Sequence, residues 1–194
     1  MFAPAGASAL QTEKLMEFTQ LATGNGYIVA YADHATLGPA AAQELATIPE
    51  RIMEKWCIEP ARIFLTGHSD SGTISHIAAL LPEMRKTVAG VAPSAAGVVA
   101  GDLQFYGCRE PLPVIIMHSK NDALFPGFGK QAADWWARCN QCEIEQQAPL
   151  ANGCIAYRHC AKPAPTWYCE GDAGHRAWPN RNATMLEFFS QSLN

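Results

Sequence analysis

No apolar run in the 194 residues approaches the ~20 needed to cross a bilayer as a helix, so a membrane-spanning helix and a membrane partner are not expected. The opening residues, Met1 to Ala9, carry neither a basic stretch nor a long apolar core and do not read as a signal peptide. Charge is also scarce. Only 16% of the residues are Asp, Glu, Lys or Arg, and the net charge of -4 gives no reason to expect a nucleic-acid partner. No repeat, linker or low-complexity tract interrupts the chain, which predicts one domain over 1–194. At 48% hydrophobic, that domain has enough apolar material to bury a sheet between helices.

Cysteine is plentiful. Seven are present, six of them after residue 100, which predicts disulfides and an oxidising compartment, secreted or periplasmic; the competing reading is a cytosolic protein with buried thiols. Secretion would then require an export signal that has been removed or lies outside these residues. Cys139 and Cys142 have C-x-x-C spacing, but Cys154, Cys160 and Cys169 supply no second closely spaced pair, so no metal site is expected. The odd count leaves at least one thiol unpaired or bonded to another molecule.

Apolar spacing predicts alternating strands and helices. An amphipathic helix is expected over 10–23, closed by Gly24 and Gly26. A strand follows at Tyr27 to Tyr31, then a helix over 40–56 kinked near Pro49. Further strands are expected at Ile63 to Thr66, Val88 to Val91, Val114 to Met117 and Trp167 to Cys169. Helices are expected at 72–81, 128–138 and 183–192. Such alternation argues for an α/β architecture with a doubly wound, mostly parallel sheet. Trp135 and Trp136 are adjacent on one helix, so one of them is expected at the surface.

The chemistry is concentrated at three strand ends. Ile63 to Thr66 runs into Gly67-His68-Ser69-Asp70-Ser71-Gly72, a strand, a tight turn of small residues and a helix, which is the layout that presents a nucleophilic serine at Ser69. Ser71 stands where the usual Gly-x-Ser-x-Gly pattern has glycine. The buried-strand pattern ending at Met117 leads to Asp122, where a carboxylate is placed to orient an imidazole. The strand at Trp167 to Cys169 leads through a glycine-containing loop to His175. Ser, then Asp, then His is the chain order of α/β-hydrolases. The remaining histidines, His34, His76, His118 and His159, show no metal-ligand spacing and read as surface or core residues.

Gly67 to Gly72 with the preceding Ile58 to Ile63, the segment holding Asp122 and Pro126, and Gly174-His175-Arg176-Ala177-Trp178-Pro179 together resemble the polyhydroxybutyrate depolymerase and feruloyl esterase group of α/β-hydrolases. The resemblance covers roughly residues 10–190. It implies the α/β-hydrolase fold, a Ser69-His175-Asp122 triad, and hydrolysis of carboxylic esters, small or polymeric, without metal or organic cofactor. It also suits a disulfide from the end of the 128–138 helix to the segment before the His175-bearing strand, Cys142 with Cys160.

In that chemistry His175 takes the Ser69 proton and returns it to the leaving alcohol, while Asp122 fixes the tautomer. The oxyanion needs two backbone N–H donors. The amide of Asp70 is the first. The second normally comes from a His-Gly loop after an earlier strand, and here only Ala5 or Gly6 is available, provided that Met1 to Pro4 is the stub of that strand. In the family this strand lies between the one expected at 27–31 and the one at 63–66. The fold is therefore expected to be reduced at its N-terminus, as in a fragment, a shortened chain or a pared-down hydrolase, with weak activity. His68 is expected to shape the site and contact substrate, and Trp178 to pack the histidine loop and line the acyl or alcohol pocket. A serine peptidase on the same fold, and an inactive hydrolase-like binding protein, are the alternative readings.

Overall fold

The computed structural model describes residues 1–84 and 87–192. The first half of the chain forms α1 (Ala9–Met16), α2 (Thr19–Gly24), α3 (Pro39–Ala46), α4 (Ile48–Met53), β1 (Ile63–His68), α5 (Asp70–Leu80) and β2 (Val88–Ser94). The second forms α6 (Ala100–Tyr106), β3 (Val114–Ser119), α7 (Phe128–Cys139), β4 (Glu143–Pro149), β5 (Ile155–Arg158), β6 (Thr166–Gly171) and α8 (Asn182–Gln191). The six strands make one sheet in the order β1-β2-β3-β6-β5-β4. β1, β2, β3 and β6 run parallel, and the β4–β5 hairpin is antiparallel at one end.

β3 shows why the sheet is covered on both faces. Side chains alternate along a strand, and Val114 and Ile116 pack into one buried cluster with Ile74 and Trp136, whereas Ile115 and Met117 pack into another with Met16 and Phe188. Helices α5 and α7 cover the first face, and α1 and α8 the second. A strand buried on both sides reads as an unbroken apolar run, as Val114 to Met117 does.

Several elements depart from expectation for local reasons. The helix expected over 10–23 breaks at Glu17, which adopts a left-handed conformation (φ 48°), and the Asn182 amide donates to the freed Met16 carbonyl (2.8 Å). The 40–56 helix divides into α3 and α4 at Thr47, two residues before Pro49, whose missing N–H cannot continue the ladder. Trp135 and Trp136 are both buried, so neither is the surface residue expected. The indole of Trp136 donates to Nδ1 of buried His76 (2.8 Å). Helix α6 and the β4–β5 hairpin were not expected.

Tyr27 to Tyr31 forms no strand, because its neighbour is only two residues long. The Met1 amine donates to the Ala30 carbonyl (2.7 Å), and the Ala32 N–H donates to the Met1 carbonyl (2.9 Å). On the other side the Phe2 N–H donates to the Thr66 carbonyl (3.1 Å), and Phe2 bridges Gly67 in parallel register. Met1 and Phe2 thus lie between residues 30–32 and β1, the place expected of a strand stub. Beside them runs a groove of about 560 Å³, with residues 27–30 on one wall and 63–66 on the other. Enclosure of the Met1 amine lowers its pKa from 8.0 to about 5.

Three disulfides brace the C-terminal half. Cys108–Cys139 ties the loop after α6 to the end of α7, Cys142–Cys160 closes the open end of the hairpin as expected, and Cys154–Cys169 joins the hairpin turn to β6. The C-x-x-C pair is therefore divided between two bridges. Cys57 is free and exposed. No described helix is long and apolar enough to cross a membrane.

Candidate active site

The turn between β1 and α5 holds Ser69 at φ 59°, a strained conformation for a residue with a side chain. Two glycines make room for it. A Cβ on Gly67 would lie 2.6 Å from atoms of Ser71, and one on Gly72 would lie 2.4 Å from the Ser94 carbonyl. Ser71, the departure from the usual pattern, has a use of its own: its buried hydroxyl accepts from the His68 N–H (3.1 Å) and donates to the His68 carbonyl (2.8 Å). The Ser69 N–H donates to the Ser94 carbonyl (2.9 Å), which fastens the turn to β2.

Residues 69, 122 and 175 meet at this turn. The Ser69 hydroxyl donates to His175 Nε2 (2.9 Å), and His175 Nδ1–H donates to Asp122 Oδ2 (2.8 Å). The Asp122 side chain is fully enclosed and that of His175 is 12% exposed. Burial alone would raise the Asp122 carboxyl, but the hydrogen bond from His175 and the N–H groups of Phe125 and Leu124 outweigh it and hold its pKa below the ordinary value. The carboxylate therefore stays charged beside an imidazole whose proton it fixes on Nδ1.

Two further histidines support this row, and one of them, His118, brings Nε2 to 3.7 Å from Asp122 Oδ2. His68, expected at the substrate, is 3% exposed and turned inward: its Nε2–H donates to the His175 carbonyl (2.7 Å), and the Ser94 hydroxyl donates to Nδ1 (3.0 Å). Burial holds its pKa down at about 4, so it is a neutral strut under the His175 loop. His118, also buried, donates from Nε2 to the Phe125 carbonyl (2.8 Å), and Phe125 in turn sets its ring edge against His175 at 5.2 Å between centroids. No spacing in the sequence marks His118; its signal is its place on the strand that delivers Asp122. Trp178 lies edge-on to His68 at 5.9 Å and is half-buried, with its indole N–H donating to Asn182 (2.8 Å).

The loop in front of α1 carries Ala5 and Gly6, the residues expected to supply the second oxyanion donor. Pro4 to Ala7 closes a β-turn through Ala7 N–H to the Pro4 carbonyl (3.0 Å), with Ala5 and Gly6 at its exposed corner and Gly6 at φ 70°, the left-handed geometry that favours glycine. The Asp70 amide, expected as the first donor, directly follows Ser69 at the start of α5. Among the described residues no group of three His, Cys, Asp or Glu side chains is arranged to hold a metal ion.

No protein-family model matches the chain. Its sequence is 25% identical over 207 aligned positions, 90% of the chain, to feruloyl esterase B of Piromyces equi, and it spans 38% of the length of that curated relative. Among solved structures, the acetyl xylan esterase of Aspergillus awamori superposes with a TM-score of 0.74 at 12% identity, covering 98% of this chain and 87% of the other. The esterase PE8 gives 0.64 at 14% identity, covering 98% and 89%. SOBER1 F65L of Arabidopsis thaliana gives 0.64 at 11%, covering 100% and 98%. The chain thus has the α/β-hydrolase fold, and its sequence resembles a feruloyl esterase.

Proposed function

We infer that the protein is a serine hydrolase of carboxylic esters. The observation that carries this reading is the unbroken row from the Ser69 hydroxyl through His175 to Asp122, with links of 2.9 and 2.8 Å. A serine hydroxyl is a poor nucleophile at neutral pH. His175 Nε2 takes its proton as the oxygen attacks the ester carbonyl, and the imidazolium that forms is stabilised by the Asp122 carboxylate. The tetrahedral oxyanion is met by the Asp70 N–H and by Ala5 or Gly6 in the facing turn. His175 then protonates the leaving alcohol. Water, deprotonated by the same imidazole, releases the acid from the acyl-enzyme, and Ser69 regains its proton.

The substrate class proposed is a feruloyl or similar acyl ester, supported by the name of the curated relative and by the aromatic ring of Trp178 next to the histidine loop. The polyhydroxyalkanoate reading shares the same triad. Secretion is supported by the three disulfides, which persist in oxidising compartments. Turnover of p-nitrophenyl acetate, methyl ferulate and short hydroxybutyrate oligomers by the native protein and by Ser69→Ala tests the reading. The native protein is expected to cleave at least the first two, with Ser69→Ala lower by at least about 10⁴-fold in kcat. A native protein that neither turns over an ester nor takes a fluorophosphonate label on Ser69 is a binding protein on a hydrolase fold, and the reading is lost.

A further inference from the structure

The two sides of the oxyanion site belong to separate stretches of chain, the Pro4–Ala7 turn and the start of α5, and one residue outside both touches each of them. The His34 N–H donates to the Ala7 carbonyl (3.1 Å), at the closing residue of the turn. The His34 ring donates from Nε2 to Asp70 Oδ2 (3.2 Å), on the residue whose amide follows the nucleophile. Asp33, its neighbour, adds a second grip: its carboxylate accepts from the Ala9 N–H (2.7 Å) at the start of α1. Residues 33 and 34 therefore hold the turn at its closing residue, the start of α1 just beyond it, and the elbow, at one point each.

We propose that His34 is a positioning residue for ester cleavage, a cross-brace that sets the distance between the Ala5–Gly6 turn and the Asp70 amide. The proposal rests on the esterase reading given above. Its physical basis is the steepness of oxyanion stabilisation. A backbone donor works at 2.7 to 3.1 Å from the developing charge, so an ångström of drift forfeits most of its effect, roughly 10²-fold in rate. The turn has little else to fix it, because only Met1 and Phe2 of its leading segment are paired with β1 and residues 30–32. The elbow side has the same need. Asp70 carries both the donor amide and the braced carboxylate, so holding the side chain limits rotation of the peptide that must face the substrate. The His34 and Asp70 side chains are 22% and 24% exposed, which leaves the pair at the rim, where it can tie the two loops without filling the space for an ester.

Because oxyanion contacts form in the transition state and not with the ground-state ester, loss of the brace acts on kcat and leaves KM nearly unchanged. The test compares wild type, His34→Ala, His34→Gln, Asp70→Ala and the double variant His34→Ala/Asp70→Ala on p-nitrophenyl acetate. Rates are normalised to the Ser69 sites that take a fluorophosphonate label, so that misfolded protein is not counted. His34→Ala is expected to lose about tenfold to hundredfold in kcat with KM within about twofold. His34→Gln, which restores a donor to Asp70, is expected to recover most of the loss. The double variant is expected to be no slower than the slower single one, the signature of two side chains acting as one unit. A His34→Ala protein with kcat within about twofold of wild type, a loss carried by KM, or strictly additive effects in the double variant each overturn the proposal alone. A wild type with no Ser69-dependent turnover overturns the esterase reading and takes the brace with it.

Discussion

Asp122 does more than complete a row of three. Its Oδ1 accepts from the N–H groups of Leu124 and Phe125 (both 3.0 Å), while Oδ2 accepts from His175 Nδ1–H (2.8 Å). An amide in its place would turn one position from acceptor to donor and drive His175 to the tautomer that cannot take the serine proton. Asp122→Asn is therefore expected to lower kcat by about 10⁴-fold with little change in KM, measured on the same esters. Ser69, Asp122 and His175 were legible in the sequence because each falls just past a strand, where backbone geometry alone brings side chains to one edge of the sheet. His34 and His118 were not. A histidine's use depends on what faces it in three dimensions, and Asp70 lies 36 residues from His34 in the chain. The inward turn of His68 was hidden for the same reason, since its partner carbonyl is 107 residues away.

Among the elements, those with doubly buried strands or long apolar helical faces were readable, and those held by something other than apolar burial were not. β4 is the clearest case. Glu143–Pro149 is mostly exposed and polar, so its sequence has neither the alternation nor the β-branched content that announces a strand. It keeps its place through pairing with β5 and through two of the disulfides, Cys142–Cys160 across its open end and Cys154–Cys169 from its turn to β6. Replacing Cys142 and Cys160 together by alanine is expected to cost about 2–4 kcal/mol of stability, read from urea unfolding. The loss should be accompanied by faster amide exchange in residues 143–158, whereas exchange in β1 to β3 stays slow. Equal loosening throughout the sheet would show that the hairpin is not a separate unit. The segment at 27–31 erred in the opposite direction. It has the composition of a strand, but a strand needs a neighbour, and two residues of Met1 and Phe2 do not make a ladder.

At the scale of the whole molecule, burial favours the neutral form of three bases among the described residues. Burial lowers the Met1 amine from 8.0 to about 5, His68 from 6.5 to about 4 and His76 from 6.5 to about 3. A base with a depressed native pKa protonates first in the unfolded chain, so the unfolded state binds more protons over that interval and stability falls as pH falls. Asp122, with its native pKa also lowered, acts in the same direction: the stability it contributes is lost as pH drops through that native value. Denaturation midpoints measured from pH 8 down to pH 3 are expected to decline throughout, beginning with the amine and continuing with the two histidines. Midpoints that hold level between pH 6 and pH 4 would show that these groups are not sequestered as described.

The Met1 amine has a practical consequence for anyone who makes this protein. It occupies the rung of a ladder that a peptide N–H would otherwise fill, so a leader fused ahead of it has the channel between 27–30 and 63–66 open to it as a path for further strand pairing. Four residues at ~3.3 Å each match the length of those walls. A Val-Thr-Val-Ile leader is expected to raise the melting temperature above that of a Gly-Ser-Gly-Ser leader, and purification tags on this terminus become structural ingredients whose chemistry must be chosen like that of a core.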